Sequence, residues 1–427
     1  MSDSWTACTI QDFLTKGEAE TKTGPFGTQL HASDYIESGT PVINARNIGF
    51  GDIRIDKLEF ISKETVQRLS SHLLESGDIV FGRKGTVERH VFIRPEQTHW
   101  FQGTDCLRLR LKSASIQPRF VSYCLLTDFH NKWIINQSSH GATMTSLNQD
   151  IISRIPLRLP SLATQRKIVA ILSAYDDLIE NNLRRIKILE EMAQTLCREW
   201  FVKFRFPGHE NACFVNSPLG QIPESWEVVK IKDVADVNAR SIRKKDTLSE
   251  ITYIDIASVS PGSIDKMEIM AFTKSPNRAR RITRHGDIIW SSVRPNRRSF
   301  SLIIDPPANL IVSTGFAVIS AKKVPFTYLF QATTTDDFVI YLVNHAKGAA
   351  YPAVNAYDFE NADILVPSKQ LLSSFDDKAL PIAIFTHRLK EKNTTLRRTR
   401  DLLLPKLISG EVDVSELDIT VPEEVAA

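Results

Sequence analysis

Cysteine is scarce in this chain. Five occur in 427 residues, the number is odd, and none forms a C-x-x-C pair with another. The pattern argues against a disulfide-stapled secreted domain and against a cysteine-based zinc site, and it predicts a reducing, cytoplasmic setting. The five are Cys8, Cys106, Cys124, Cys197 and Cys213.

Long apolar runs are also missing. No stretch approaches the roughly eighteen consecutive apolar residues of a membrane-spanning helix. The first five residues, Met-Ser-Asp-Ser-Trp, lack the basic-then-apolar order of a secretory signal. The sequence therefore predicts no membrane segment and no membrane partner. An apolar share of 42% and a charged share of 24% are typical of a globular protein, and the length allows two to four domains.

Motifs for nucleotide binding, metal binding and catalysis are missing as well. Residues 82–86 contain glycines and a lysine, but not the G-x-x-x-x-G-K-[ST] spacing of a phosphate-binding loop. Residues 305–308 (DPPA) resemble the D-P-P-[YF] loop of adenine-N6 methyltransferases, but Ala308 replaces the aromatic residue that stacks on a flipped base. No glycine-rich turn suited to a methyl donor follows a strand. We interpret the DPPA segment as a turn at a strand end, and we expect the chain to lack an active site.

What the sequence does contain is a repeat of itself. Residues 4–12 correspond to residues 225–233, and later segments correspond in the same order. A period of about two hundred residues is the size of a domain and far longer than the repeats of solenoids or propellers. The chain is therefore interpreted as a duplication that gives two related domains, each followed by a helical stretch. The other matching pairs are 76–80 with 285–289, 141–142 with 348–349, 147–148 with 354–355, and 157–160 with 364–367.

Each domain alternates short apolar runs with glycine- and proline-containing turns, which is typical of an α+β fold. In the first domain, strands are predicted at 91–93 and 106–111, and a helix over 120–135. In the second, strands are predicted at 251–256, 287–290, 301–304 and 316–319. The predicted division of the chain is 1–160 and 225–370 for the two globular domains, 161–206 and 371–412 for the helical regions, 207–224 for a linker, and 413–427 for a tail.

A long helix is predicted after each domain. Either Ser161 or Thr164 can cap the first, which then runs to about residue 200 without glycine or proline and with apolar residues every seven positions. The second heptad is poorer, because Pro381 should kink or restart the helix and arginines crowd its later part. The predicted seam of the first helix is Ile168, Tyr175, Asn182, Leu189 and Leu196, with a second row at Ile171, Leu178 and Met192 and a flanking row at Leu172, Ile179, Ile186 and Ala193; that of the second helix is Phe375, Ile382, Leu389, Asn393, Leu396 and Leu403.

The two helices are natural partners, because each has an apolar stripe too long for its own domain to cover. Antiparallel pairing would hold the domains at opposite ends of a rod on the order of 50 Å long. Asn182 corresponds to Asn393 in the repeat. A buried asparagine at a seam commonly sets register, but a position on a solvated flank fits the sequence equally well.

Overall charge is nearly balanced, with 53 basic and 50 acidic residues, but it is unevenly distributed. Residues 240–298 hold thirteen basic and six acidic residues, a local balance of +7. Basic side chains in loop-rich sequence favour contact with a phosphate backbone, although lysine and arginine also favour any solvated surface.

Several short segments, each weak by itself, occur together along nearly the whole chain. They are residues 77–86 (GDIVFGRKGT), 160–162 (PSL) with 165–169 (QRKIV), 179–183 (IENNL), 199–201 (EWF), 222–226 (IPESW) and 403–411 (LLPKLISGE). The set, in this order, closely resembles the specificity (S) subunit of type I restriction–modification systems. The resemblance implies two target recognition domains, each reading one half of a split DNA sequence, and two antiparallel coiled-coil helices that set the unread gap.

The resemblance also implies the partners of the chain. The S subunit binds double-stranded DNA and has no active site. It recruits two methyltransferase (M) subunits, which use S-adenosylmethionine to methylate an adenine in each half-site. It also recruits restriction (R) subunits, which use ATP and Mg²⁺ to translocate and cut DNA. Cofactors are therefore expected in the partners, and none in this chain.

Candidate DNA-binding residues lie in two loops of each domain, where basic, amide and hydroxyl side chains could reach phosphates and base edges. Those of the first domain are Arg83, Lys84, Thr86 and Arg89, followed by His140 and Thr143 in the loop 138–143. Those of the second are Ser291, Ser292, Arg294, Asn296, Arg297 and Arg298, followed by Lys347 and Tyr351. Arg243, Lys244, Lys245 and Arg280 are interpreted as phosphate contacts.

Two other functions fit parts of the sequence. One is a DNA methyltransferase with built-in recognition domains, against which the missing donor loop and Ala308 argue. The other is a coiled-coil adaptor without DNA affinity, against which the basic loops at corresponding places in both repeats argue. Binding of S-adenosylmethionine to the isolated chain would support the first. A salt-dependent interaction with DNA would exclude the second, because phosphate contacts release counterions.

Overall fold

The computed structural model of the chain describes residues 5–55, 57–138, 145–243, 246 and 248–423. These residues form two compact units. Unit 1 contains the chain up to Glu180 and again from Thr394 onward, and unit 2 is Asn181–Asn393. The boundary between the units therefore falls inside both long helices and not in the linker between the repeats.

Unit 1 combines two main sheets with short helices. One sheet has the strand order β2-β10-β7-β8-β5, a second has the order β3-β6-β4-β9, and β1 pairs with β11. The elements are β1 (Thr6–Thr9), α1 (Ile10–Thr15), β2 (Ala19–Thr23), β3 (Tyr35–Ile36), β4 (Thr40–Ile43), β5 (Phe50–Gly51), β6 (Glu59–Ile61), α2 (Lys63–Arg68), β7 (Ile79–Gly82), β8 (His90–Phe92), β9 (Phe101–Gln102), β10 (Cys106–Leu111), α3 (Pro118–Leu125), α4 (Asp128–Ser138), α5 (Gln149–Ser153), β11 (Pro156–Leu159) and α6 (Leu162–Cys197), which continues into unit 2.

Unit 2 has the corresponding architecture. Its main sheets have the orders β15-β24-β21-β22 and β19-β16-β23-β20, and β14 pairs with β25. The elements are β12 (Phe214–Ser217), β13 (Gly220–Pro223), β14 (Glu227–Lys230), α7 (Ile231–Val234), β15 (Ala235–Val237), β16 (Glu250–Ile254), β17 (Val259–Ser260), β18 (Ser263–Ile264), β19 (Glu268–Ala271), β20 (Ala279–Ile282), β21 (Ile288–Ser291), β22 (Phe300–Leu302), β23 (Leu310–Ser313), β24 (Phe316–Ala321), α8 (Phe326–Ala332), α9 (Asp336–His345), α10 (Ala356–Glu360), β25 (Asp363–Val366) and α11 (Lys369–Ser409), which continues into unit 1.

The same strand pattern occurs in both units, which confirms the predicted duplication and the α+β class. In unit 1, β10 lies antiparallel between β2 and β7, and β8 pairs with the other side of β7. In unit 2, β24 lies in the same way between β15 and β21, with β22 beyond. In the second sheets, β4 is antiparallel to β6 and parallel to β9, as β16 is to β19 and β23. The strands predicted from the sequence all overlap observed strands.

Each core joins its globular part to the long helices. In unit 1, Val169 of α6 and Leu407 of α11 lie in the same buried cluster as Phe120. Val414 is also buried in this cluster, so residues that the sequence interpretation set apart as a tail cover part of unit 1. The hydrophobic effect, which is non-directional, provides most of the stabilisation of this core when the apolar surface is removed from water.

Aromatic rings occupy the centre of the core of unit 2. Trp290 is fully buried, and its indole N–H donates to the carbonyl oxygen of Thr333 at 2.9 Å. The ring of Phe201 meets those of Tyr328 and Phe375 edge to face, with centroids 4.8 and 5.0 Å away. Because Phe201 follows α6 and Phe375 lies near the start of α11, these contacts attach both helices to the domain.

The two long helices pair antiparallel, as predicted. In unit 2, Trp200 just beyond α6 contacts Phe375 near the start of α11, whereas Asn182, farther back in α6, contacts Asn393, farther along α11. The Nδ2–H of Asn182 donates to Oδ1 of Asn393 at 2.8 Å, and both residues are 1% exposed. If one helix shifted by one turn relative to the other, the two buried amides would lose their hydrogen bond to each other. The pair therefore specifies the register of the helices.

The seam is rotated relative to the predicted heptad. The flanking row (Leu172, Ile179, Ile186 and Ala193) is buried throughout, whereas Met192 is 53% exposed, so its placement in the seam is wrong. A nearly straight helix drifts by about 20° per heptad, which moves the buried stripe from one row to the next. Of the predicted seam residues, Ile168, Asn182, Phe375, Leu389 and Asn393 are buried, and Tyr175, Leu189, Leu196, Ile382, Leu396 and Leu403 are half-buried.

Pro381 does not restart the second helix. The helix α11 is continuous over 41 residues. Pro381 is exposed, and so is Asp377, whose carbonyl loses its usual helical donor to the proline ring and can be hydrated instead. Phe375 and Ala379 before Pro381, and Thr386 and Leu389 after it, are buried and hold the helix on both sides of this point. Tertiary packing thus outweighs the local cost of the proline.

The helical character predicted over 120–135 is confirmed, but its continuity as one helix is wrong. The structure has two helices there, α3 and α4, which are separated at residues 126–127. The hydroxyl of Thr127 donates to the carbonyl oxygen of Cys124 at 2.8 Å, and its oxygen lies 2.8 Å from Nδ1 of the His130 ring. These local bonds compete with helix continuation, which explains the break.

A glycine–aspartate turn precedes the central strand in each unit. Gly77 and Gly286 both have positive φ, and the following aspartates, Asp78 and Asp287, are buried. Asp78 accepts from the Arg110 guanidinium through both oxygens at 2.7 Å. Asp287 accepts from Arg240 at 2.6 Å. Each turn is therefore fixed by a partly buried ion pair.

Unit 1 is expected to lose stability on mild acidification. His90 is fully buried, and burial lowers its pKa from 6.5 to about 4. The unfolded chain then binds more protons than the folded one between these values, so stability is complete above pH 6.5 and falls as pH drops towards 4. The loss from this residue is about 3 kcal/mol.

The comparison that checks this expectation is urea unfolding at pH 7 and pH 5. His90→Gln should show a weaker pH dependence than the natural chain, because glutamine does not titrate. His345→Gln, at an exposed position, is the matched control and should leave the dependence unchanged. Equal pH dependence in all three proteins would contradict the assignment.

Candidate nucleic-acid interface

The first candidate surface in unit 1 is the connection between β7 and β8, residues 83–89, which we call loop A. Both strands are largely buried, and the chain emerges at Lys84, Gly85 and Thr86, which are exposed. Gly85 has φ of +81°, a conformation that favours glycine, and a side chain built there would meet open space. Val87 is buried and anchors the middle of the loop.

Backbone hydrogen bonds hold loop A against two neighbouring segments. The Arg83 N–H donates to the Asp105 carbonyl at 2.9 Å, and the Leu147 N–H donates to the Arg83 carbonyl at 2.8 Å. The Thr145 hydroxyl donates to the Gly85 carbonyl at 2.7 Å. The segment that follows the second predicted loop, beginning at Thr145, thus lies directly beside loop A. His140 and Thr143 themselves lie outside the described residues.

Unit 2 has the corresponding surface between β21 and β22, residues 292–299, which we call loop B. The Ser292 N–H donates to the Gly315 carbonyl at 2.8 Å, and the Val354 N–H donates to the Ser292 carbonyl at 2.9 Å. These two bonds repeat those of Arg83, bond for bond. The same backbone cradle therefore presents a loop in each unit, and Ser292 is the equivalent of Arg83.

The second predicted loop of unit 2 also lies against the first. The Arg294 N–H donates to the Pro352 carbonyl at 2.7 Å, and Lys347 pairs with Ala353 through backbone bonds of 2.9 Å in both directions. Lys347 is exposed. The structure thus brings together the two groups of candidate residues that the sequence analysis selected in this domain.

Arg294 is held in a defined position over an aromatic ring. Its guanidinium lies 4.6 Å from the ring centroid of Tyr351, and Nη2 donates to the Ala350 carbonyl at 3.2 Å. Tyr351 is 68% exposed. Stacking on one face leaves the guanidinium edge available for a planar acceptor such as guanine.

Loop B carries backbone strain at two arginines. Arg294 and Arg298 have φ of 52° and 55°, which costs about 1–2 kcal/mol for a non-glycine residue. They flank a short turn, Pro295–Arg297, in which Asn296 and Arg297 are exposed. Arg298 is paired with Asp336. Strain of this kind persists where the surroundings over-determine the conformation, as at binding sites.

Loop A carries a related arrangement. The Arg89 guanidinium lies 5.2 Å from the ring centroid of Phe50, which is 48% exposed. Lys84 forms an exposed ion pair with Asp105, with 3.7 Å between Nζ and Oδ1. Exposed pairs of this kind contribute little to stability and exchange readily for other anions. Sequence reasoning did not select Phe50 or Asp105, because only the fold brings them to the loop.

The remaining candidates fall into separate groups. Ser291 is fully buried, and its hydroxyl donates to the Val293 carbonyl at 2.9 Å, so it supports loop B from beneath and does not present a side chain to a ligand. Arg243 is exposed, and Arg280 lies 5.6 Å from the ring centroid of Phe272. Lys244 and Lys245 lie outside the described residues.

One half-buried cation near Arg280, Arg281, was not among the candidates of the sequence analysis. Burial lowers the pKa of Arg281, and its Nη1 donates to the Ser241 hydroxyl at 3.0 Å.

Among the residues that the structure describes, no group of three histidine, cysteine or acidic side chains could hold a metal ion. Within the same residues, no helix is long and apolar enough to cross a membrane.

Comparison with known protein families matches each of the two repeats separately. A sequence model described as the type I restriction modification DNA specificity domain matches residues 3–191 and, a second time, residues 223–378. The chain belongs to this family. The two matches coincide with the two repeats, and each includes one of the cradled loops. DNA sequence recognition is accordingly the role of the chain, as the specificity-domain family implies.

Two related proteins match this chain over most of its length and over most of their own. The chain is 23% identical over 362 residues to the type I restriction enzyme MjaIX specificity subunit of Methanocaldococcus jannaschii, which covers 84% of this chain and 82% of the relative. It is 23% identical over 435 residues to the HindI specificity subunit of Haemophilus influenzae, which covers 86% of this chain and 94% of the relative.

A solved structure has the same fold. The crystal structure of the type I restriction–modification S subunit from M. genitalium superimposes with a TM-score of 0.61, covering 95% of this chain and 96% of that chain. The two sequences are 15% identical, so this likeness concerns the fold.

Proposed function

We propose that this chain is the DNA-recognition subunit of a type I restriction–modification complex and reads a split target, one half through each unit. Loop A with the segment at 145–147 reads the first half, and loop B with Lys347 and Tyr351 reads the second. The chain itself is non-catalytic. It acts in the cytoplasm on double-stranded DNA.

The observation that carries the proposal is the duplicated cradle. Arg83 and Ser292 make equivalent pairs of backbone bonds, and exposed basic side chains follow each of them. A bilobed protein that presents the same loop twice, each time with different side chains, is suited to two related but distinct DNA sites. A protein that served only as a coiled-coil adaptor would not need these loops.

The side chains divide by chemistry. Arg294, backed by Tyr351, is suited to bidentate recognition of guanine, and Asn296 is suited to adenine. Lys84, Lys347, Arg297 and Arg243 are flexible cations suited to phosphates, which position the protein without specifying sequence. Thr86 and Ser292 are short hydroxyl donors that can serve either purpose.

The partners supply the chemistry. Two methyltransferase (M) subunits bound to this chain methylate an adenine in each half-site with S-adenosylmethionine, and restriction (R) subunits use ATP and Mg²⁺ to translocate and cut DNA. This chain selects the site and holds the partners there. No cofactor is assigned to the chain itself.

Single-molecule methylome sequencing tests the proposal. A methylation-free host should express this chain with its cognate M subunit, beside a host with M alone. A new motif with modified adenines in two short halves around a fixed gap is expected only in the first host. A soluble, assembled complex that adds no methylation would contradict the proposal.

Exchange of the second domain gives a separate prediction. Replacing residues 226–367 with the corresponding segment of another specificity subunit should change one half of the methylated motif. The other half should stay the same, because loop A and its cradle lie wholly in unit 1. The same methylome measurement checks this result. A change in both halves would contradict independent reading.

A further inference from the structure

One carboxylate on α6 connects three elements of unit 1. Asp176 accepts from the Tyr123 hydroxyl of α3 at 2.6 Å through Oδ2, and from Nη1 of Arg400 of α11 at 2.7 Å through Oδ1. Nη2 of Arg119, also in α3, lies 3.7 Å from the same Oδ2. The Asp176 side chain is largely shielded from solvent.

Tyr123 is committed to donating in this network. Burial raises the pKa of its hydroxyl well above the ordinary value, so the phenol keeps its proton. A hydrogen bond from a neutral donor to a shielded carboxylate is charge-assisted and directional. The position of α3 is therefore fixed relative to α6, and Arg400 fixes α11 at the same carboxylate.

Arg119 extends the network to the strand that carries loop A. Its guanidinium lies 5.8 Å from the ring centroid of Tyr123 and also 5.8 Å from that of Phe92. Phe92 is the last residue of β8, and β8 begins where loop A ends. Asp176 is thus connected to loop A through Arg119 and then through the three-residue strand β8.

A second contact lies one helical turn farther along α6. Arg94, two residues beyond β8, is hydrogen-bonded to Glu180, and its Nη1 lies 3.6 Å from Oδ1 of Asp177. Loop A and α6 are therefore linked at two levels, at residue 176 and at residue 180. Two directional contacts on one helix add resistance to rotation about it beyond that of the apolar packing of Val169 and Leu172.

We propose that Asp176, with Tyr123, Arg119 and Arg400, is a positioning joint that holds loop A in a fixed orientation on the helix pair, and that its stiffness sets how strictly the complex measures the gap between the two half-sites. We call these four residues the Asp176 joint. The inference rests on the proposed function, because it concerns the gap of a split target.

The geometry of DNA explains why stiffness matters. One added base pair moves the second half-site by about 3.4 Å and turns it by roughly 35° around the duplex axis. A protein with rigid joints can bind such a site only by deforming the DNA, which is costly. A looser joint lets loop A follow the displaced bases, so discrimination against a wrong gap falls while the bases that are read stay the same.

The test is methylation of a plasmid set in which the half-sites are separated by the native gap, by one base pair fewer and by one more. The variants are Asp176→Asn, which removes the charge shared by Tyr123 and Arg400, and Tyr123→Phe, which removes one hydroxyl from an otherwise unchanged core. Asp128→Asn is the matched control, because this carboxylate of α4 is 91% exposed and pairs only within its own helix at 3.8 Å among the contacts described.

Both joint variants should keep both half-site sequences and methylate the wrong-gap plasmids about tenfold more, relative to the native gap, than the natural chain does, as expected for loss of one charge-assisted hydrogen bond. Asp128→Asn should behave as the natural chain. Unchanged gap discrimination in Tyr123→Phe, with the complex assembled, would overturn the proposal, and so would altered half-site bases. If the natural chain itself yields no split motif, the proposed function fails instead. Should Asp176→Asn not accumulate, Tyr123→Phe decides alone.

Discussion

Asp78→Ala is expected to lower the free energy of unfolding of unit 1 by about 3–5 kcal/mol, because it leaves the shielded guanidinium of Arg110 without its buried partner. Asp78 is fully buried and accepts from Nε and Nη2 of Arg110 at 2.7 Å each. It also accepts from the Glu75 N–H at 2.8 Å, which closes the turn before β7. Differential scanning calorimetry should record a fall in melting temperature of roughly 10 °C.

Glu75→Ala is the matched control for this variant. Glu75 pairs with the same arginine at 2.6 Å, but its side chain is 62% exposed, so its removal should cost less than about 1 kcal/mol. Because β7 leads directly into loop A, Asp78→Ala should also abolish methylation by the complex, whereas Glu75→Ala should preserve it. Identical melting temperatures for the two variants would show that the buried bond does not stabilise the turn.

Arg294→Ala should weaken binding to the natural target by about 10- to 100-fold, the effect of losing one bidentate contact to a base. In loop B, Arg294 is held in place by Tyr351 and by the Ala350 carbonyl. A preorganised arginine loses little conformational freedom on binding, so its contribution to affinity is large. The measurement is competition binding at one fixed salt concentration with the duplex found by methylome sequencing.

Duplexes altered at single positions show which kind of contact is lost. If Arg294 reads a base, the variant becomes indifferent to one position in the second half and keeps its preference everywhere else. A phosphate contact would instead weaken all duplexes alike and reduce the salt dependence. Arg388→Ala, which removes an exposed arginine of α11, is the matched control and should leave the base preferences unchanged. Unaltered preference at every position in Arg294→Ala would contradict a reading role.

The duplication, the α+β class and the long helices could all be predicted from the sequence. Each depends on a signal that is repeated or periodic along the chain, such as the match of 76–80 with 285–289 or the heptads after Ser161. Such signals are averaged over many residues, so a single residue that departs from the pattern has little effect on the prediction. The same repeat places the two candidate loops at matching positions, because Arg83 and Ser292 follow matching strands; that the loops bind DNA stays a prediction.

Single residues were less predictable. The sequence gives Ser291 the same appearance as Ser292, yet one is buried and the other lies in the loop. Met192 fits the heptad but lies outside the seam, because the helix drifts relative to a seven-residue repeat. Pro381 disfavours a helix locally, and only the buried neighbours on the opposite side of α11 show why the helix continues.

The sequence by itself determined the family, the two-domain plan and the segments that contain the two candidate loops, because these follow from order and spacing along the chain. The tertiary structure decided which residues contact one another. It divided both long helices between the two units, paired Asn182 with Asn393, placed Tyr351 beneath Arg294 and gathered Tyr123 and Arg400 at Asp176. Contacts between residues that are far apart in the chain, separated by 53 to 224 positions in these examples, depend on packing and register, which local sequence patterns do not encode.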